Sequence, residues 1–156
     1  MKKFNLITLT ATALTCIAAS AYADNNQFQV NVNQDTNPTL NLEQVGNSNS
    51  IRVDEGIYMA GPGNSVTANN TFNLSEIGDS NNINAATTGA NNVMSLSTNG
   101  TGNNLTGGQF GNNDRLSATL NGNGNNLGVV QQGNNLGLNV SYTGSNLGFG
   151  QINQHQ

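Results

Sequence analysis

From Phe72 onward the chain alternates apolar and polar side chains in short runs, and each run stops at a glycine. Gly78, Gly89, Gly100, Gly111, Gly122, Gly133 and Gly144 stand eleven residues apart. Six and four positions before them lie Phe72 and Leu74, Ile83 and Ala85, Met94 and Leu96, Leu105 and Gly107, Leu116 and Ala118, Leu127 and Val129, Leu138 and Val140. Residues two apart share one face of a strand, so each run predicts a short half-buried strand and not a helix. Small polar residues follow each glycine, as in "GDSN", "GANN" and "GNGN", and tolerate the left-handed backbone of a tight turn. In "GNNL" and "GSNL" the asparagine comes one place early and Leu136 or Leu147 takes its site.

A strand with two apolar anchors buries too little to stand alone, so it must pair with neighbours on both sides. Two strands per coil give rungs of about 22 residues, 11 per half, with their apolar faces turned inward. The predicted fold is all-β, a two-sided and amyloid-like β-solenoid. One column is expected to stack Phe72, Met94, Leu116 and Leu138, the other Ile83, Leu105, Leu127 and Phe149. Two positions before each glycine the inner face ends in Glu76, Thr87, Thr98, Gln109, Leu120, Gln131 or Tyr142.

The N-terminal half keeps the rule with a defect. "LNLEQVGNSNSIRVDE", residues 40 to 55, forms a regular rung, but Gly61 before Pro62 arrives late. Alternation through Ile57, Met59, Val66 and Ala68 predicts a wider rung or bulged loop near 55–71. Before it "QFQVNVNQ" offers Phe28, Val30 and Val32 as a further strand, with Pro38 in the link.

Residues 1–23 read as a secretory leader: Lys2 and Lys3, an apolar stretch, then Ala21-Tyr22-Ala23 as an A-x-A cleavage site. The expected division is a signal peptide at 1–23, an N-terminal segment at 24–39 and a repeat solenoid at 40–156. Cys16, the one cysteine, falls in the leader, so the exported chain gains no disulfide. Export leaves Arg52 and Arg115 against eight acids, a formal charge of −6, which argues against nucleic acid and anionic membranes as partners. Thirty-two asparagines would suit a disordered tract, but the periodicity points to ordered stacking.

The repeats "LNLEQVGNSNSIRVDE", "LTGGQFGNNDRLSA" and "LGVVQQGNNLGLNV" resemble the curlin repeat, in which a Gln precedes a Gly by two places and an Asn follows. The matching positions are Gln44, Gln109 and Gln131, with Gly46, Gly111 and Gly133, and Asn49, Asn81, Asn92, Asn103 and Asn125 after the turns. Glu76, Thr87, Thr98, Leu120 and Tyr142 stand where that repeat has glutamine. The resemblance spans about Leu40 to Gln151. It implies a chain secreted unfolded across a bacterial outer membrane, through a dedicated channel and with chaperones. Such chains polymerise with themselves and other curli subunits into extracellular fibres for adhesion and biofilm matrix. "FGQINQHQ" has no Lys or Arg, which favours a major over a nucleating subunit.

Reactive chemistry is sparse. The single histidine, His155, is next to last, and the exported chain has no thiol, so neither a cofactor nor a metal site is expected. Adjacent Asp54 and Glu55 point to opposite faces of a strand, and Asp79 and Asp114 are expected to be solvated turn acids. "GGQFGNND" lacks the repeating Asp of a calcium-binding nonapeptide, and Thr87 and Thr98 build no ice-binding column. Arg52 and Arg115 read as isolated surface cations. The sequons at Asn69 and Asn139 read as incidental. The expected function is therefore structural and not enzymatic. A pattern that ends in Phe149, Gln151 and Asn153 without a cap is expected to leave a rung open to another copy. The rival readings are a capped monomeric solenoid adhesin and a polysaccharide-cleaving β-helix enzyme, which needs an acidic cleft.

Overall fold

A computed structural model of the chain describes residues 5–10, 16–22, 24–32, 38–56, 69–148 and 150–156. Thirteen strands follow in order: β1 Asn5–Thr10, β2 Cys16–Tyr22, β3 Gln27–Val32, β4 Thr39–Val45, β5 Ser50–Gly56, β6 Thr71–Ile77 and β7 Asn82–Thr88. The rest are β8 Val93–Asn99, β9 Asn104–Phe110, β10 Arg115–Asn121, β11 Asn126–Gln132, β12 Gly137–Thr143 and β13 Gly150–His155. Odd-numbered strands form one parallel sheet and even-numbered strands another, so the chain crosses sheets at every turn. The chain is a two-sided β-solenoid of about 22 residues per rung.

The alternation in each strand decides which side faces the partner sheet. In β6, β8 and β11 every second residue is buried, and their neighbours are intermediate or exposed. Leu40, Phe72, Met94, Leu116 and Leu138 stack in one column, as expected for its last four members. Burial of each such side chain stabilises by roughly 2–3 kcal/mol. The core is close-packed enough to dictate Gly107, where a Cβ would come within 2.9 Å of Leu96 Cδ1 and 3.0 Å of Met94 Sδ.

The facing column runs through Ile51, Ile83, Leu105 and Leu127 and then departs from expectation. Leu127 pairs with Gly150, because the last step is 23 residues where the two before it are 22. The place expected for Phe149 goes to a glycine, and Phe149 itself lies outside the described residues. Ile152 and Gln154 therefore turn inward while Gln151 and Asn153 are exposed, the reverse of the expected face.

One rung is wider than those that follow it. The step between Gln44 and Glu76 widens to 32 residues, yet Leu42 still meets Leu74 and Val53 still meets Ala85. The extra chain leaves after β5 and returns at β6. Ile57, Met59, Val66, Ala68 and the Gly61-Pro62 pair lie outside the described residues. The further strand expected at Phe28, Val30 and Val32 is β3, with all three side chains buried. β1 and β2 fall in the stretch read as a leader, and in the full chain they pair in parallel with β3 and β4. Removal of 1–23 would uncover the β3–β4 rung.

Candidate functional site

The turns position the asparagines. Gly78 holds φ 107° and Ser80 φ 58°, a pair of left-handed sites that recurs at Gly89 with Asn91 and at Gly111 with Asn113. A Cβ on Gly78 would overlap the Gly100 carbonyl oxygen of the next rung, so glycine is required there by both backbone and contact. The third residue after each glycine is thereby turned inward, between the two sheets.

On one side this residue is Asn49, Asn81, Asn103 and Asn125 in successive rungs, and Asn26, which follows no glycine, heads the same column; each is no more than 5% exposed. Each accepts, on Oδ1, the backbone N–H of its successor: Asn49 to Asn26 at 3.0 Å, Asn81 to Asn49 at 2.9 Å, Asn103 to Asn81 at 3.0 Å and Asn125 to Asn103 at 3.1 Å. Each also donates Nδ2 to the turn glycine carbonyl of the next rung, at Gly46, Gly78, Gly100, Gly122 and Gly144. One side chain thus satisfies two buried backbone groups that the turn leaves without strand partners. A second ladder on the opposite side runs through Asn70, Asn92 and Asp114, with Nδ2 of the two asparagines on Gly89 and Gly111.

Asp114 corrects the sequence reading. It is 1% exposed and not a solvated turn acid, because it occupies the inward site that asparagine fills elsewhere. Its Oδ1 accepts the Leu136 N–H at 2.8 Å, while Oδ2 makes no hydrogen bond. Asp79 is exposed as expected and accepts the Asn47 N–H at 2.7 Å.

Two positions before each glycine stands the inner polar column. Gln109 Nε2 donates to Gln131 Oε1 at 3.1 Å, and Gln131 Nε2 donates to Gln154 Oε1 at 2.9 Å. In the other sheet Gln44 Nε2 donates to Glu76 Oε2 of the neighbouring strand at 2.9 Å. Burial pushes the Glu76 carboxyl up to about 8, against the lowering effect of Gln44 and the Ile83 backbone. Glu55 is 3% exposed and accepts Asn70 Nδ2 at 2.7 Å, while Asp54 faces outward and pairs with Arg52 at 2.7 Å. The opposite faces expected for these two acids are observed, but Arg52 is not isolated.

All the expected ladder and turn positions fall on these inner columns and turns. The sequence reading missed Asn26, Asn70, Asp114 and Gln154. The first three could have been found by counting one residue back from the strands they precede. Both ladders stop at the same rung: Leu136 and Leu147 take the inward sites there, and their N–H groups donate to the last side-chain acceptors, Asp114 and Asn125. Among the described residues β12 and β13 each pair on one side only, and Leu138, Val140, Tyr142 and Ile152 are only partly covered.

A concavity of about 810 Å³ runs past Thr88, Phe110, Gln132 and His155, and no acidic side chain lines it among the described residues. Among the described residues no group of three His, Cys, Asp or Glu side chains gathers to hold a metal ion. No family model, curated protein or solved structure matches the chain.

Proposed function

We propose that this chain is a secreted structural subunit that polymerises end to end into extracellular curli-type amyloid fibres on the bacterial surface. Its work there is mechanical, in adhesion and biofilm matrix, and involves no catalysis. The observation that carries the reading is that, among the described residues, β12 and β13 each pair on one side only, so that their outer edges have no strand partner. Such an edge is a template for another chain, and a head-to-tail contact that does not close on itself extends into a fibre. The resemblance of three of the repeats to the curlin repeat supports the same reading and brings with it the secretion channel, the chaperones and the companion subunits. The lack of Lys and Arg after Arg115 favours the major over the nucleating subunit.

Electron microscopy of the exported form, from Asp24 onward, after incubation at high concentration tests the proposal. Unbranched fibres that bind thioflavin are expected. A chain that stays monomeric for days would overturn the reading. It would favour a capped solenoid adhesin, the alternative to which the leucines at 136 and 147 lend weight.

A further inference from the structure

The inner glutamine column runs one way, each Nε2 donating to the next Oε1 from Gln109 through Gln131 to Gln154. At its end Gln154 Nε2 reaches only the Gly137 carbonyl, at 3.5 Å. Near the other end of the solenoid Gln44 is fully buried, with Nε2 on the Gln27 carbonyl and on Glu76, while its Oε1 makes no hydrogen bond. The strand without a next acceptor lies in the odd-numbered sheet, and the orphan acceptor lies in the even-numbered one. From β3 to β13 the strands number eleven, so this stretch begins and ends in the same sheet. A second copy in the same orientation therefore cannot continue both sheets. Its β4 on β12 would put β3 where β13 already lies, and its β3 on β13 would leave β12 bare.

We propose that each copy in the filament is turned by half a turn about the solenoid axis, so that odd- and even-numbered sheets exchange at every seam and Gln154 of one copy donates to Gln44 of the next. This deepens the filament reading and rests on it. The chain reverses direction at every turn, so the half-turn carries β3 onto β12 and β4 onto β13 with both new pairs parallel. The rung register then sets Phe28 and Val30 on Leu138 and Val140, and Leu42 on Ile152, which covers side chains the single copy leaves partly open. Gln154 Nε2 meets the orphan Gln44 Oε1 with the polarity of the rest of the column. Thr39 donates its N–H to the Asn70 carbonyl as Asn126 does to that of Leu147, so Pro38 and Leu147 occupy the same column and meet at the seam. Proline has no N–H and the leucine side chain no acceptor, so that contact strands no polar group. One mismatch remains: the Asn26 N–H meets Leu136 without an acceptor, which makes a seam weaker than a step inside a copy.

Thiol pairs on the outer faces test the half-turn in the chain from Asp24 onward, which has no cysteine of its own. Gln29, Asn139 and Gln151 are exposed and hold the same outward position on β3, β12 and β13. The half-turn puts Gln29 beside Asn139 of the preceding copy and on the opposite face from Gln151. Fibres grown from mixed Gln29→Cys and Asn139→Cys chains, treated with a short thiol-to-thiol cross-linker, should give several-fold more covalent dimer than fibres mixed from Gln29→Cys and Gln151→Cys chains. Equal yields, or an excess from the Gln151 pair, would overturn the half-turn and leave the filament reading intact. Helical reconstruction of parent fibres by electron cryomicroscopy needs no substitution. It should show the two sheets alternating along each side of the fibre, with a rise of about 26 Å per copy, or eleven strands at two per rung spacing. Copies that keep each sheet on one side would overturn the half-turn. Absence of fibres from the parent chain would instead sink the filament reading.

Discussion

Asp114 stands between Asn92 and Leu136 in the second ladder, accepting the Leu136 amide at 2.8 Å with one carboxylate oxygen and leaving the other without a partner. Every asparagine at an equivalent site spends its second polar atom as a donor to a glycine carbonyl. Asp114→Asn should restore that donor, towards Gly133, and remove a buried acid. A gain on the order of 1–3 kcal/mol is expected in chemical denaturation. Asp79→Asn, in an exposed turn, should change stability by less than about 0.5 kcal/mol.

Asn103 carries two backbone groups at once, the Asn125 N–H at 3.1 Å and the Gly122 carbonyl at 2.7 Å. Asn103→Ala strands both in the interior and should cost about 2–4 kcal/mol. Asn112 makes similar bonds to Ala90 and Asn134 at the exposed turn surface, where water replaces a lost partner. Asn112→Ala should cost less than about 1 kcal/mol in the same denaturation experiment, and equal costs would show that burial is not what gives the inner ladder its weight.

Glu76 should make stability depend on pH. Its carboxyl titrates at about 8 when folded against 4.5 as its ordinary value. The folded chain therefore keeps a proton that the unfolded chain gives up. Its contribution is fully present below about pH 4.5 and is lost as pH rises through 8, an amount on the order of 4–5 kcal/mol. Denaturation midpoints measured from pH 4 to pH 9 should fall across that window, and Glu76→Gln should flatten the fall. A midpoint that rises with pH in the parent chain would contradict the buried neutral acid.

Gly107 tests how tightly the two sheets meet. Added methyls there enter the space of Leu96 and Met94, and Gly107→Val should cost about 1–3 kcal/mol by crowding. At Gly128, which faces outward and whose Cβ would meet nothing nearer than 3.9 Å, the same substitution should be tolerated within about 1 kcal/mol.

The period carried most of this architecture. Glycines eleven apart, with apolar residues at fixed offsets, fix both the turn positions and the inward face of each strand, because side-chain direction alternates without exception along a strand. The same logic failed where the spacing changed. One extra residue between Leu127 and Gly150 reversed every side chain of β13, and no local feature of "GSNLGFGQINQ" announces it. Asp114 misled for a different reason: an acid in a turn reads as solvated unless its column is known, and the column is visible only once rungs are aligned. Glu55 and Asn70 come together because the wide rung closes between them, a contact that lies 15 residues apart in the chain and leaves no periodic trace.

Whether rungs continue from one copy to the next, as proposed, is measured directly by X-ray diffraction from aligned preparations of the chain from Asp24 onward. It should give a meridional reflection at about 4.7–4.8 Å and an equatorial one near 10 Å, the spacings of paired strands and of facing sheets. A soluble monomer under every incubation, or ordered assemblies without the meridional spacing, would contradict end-on stacking.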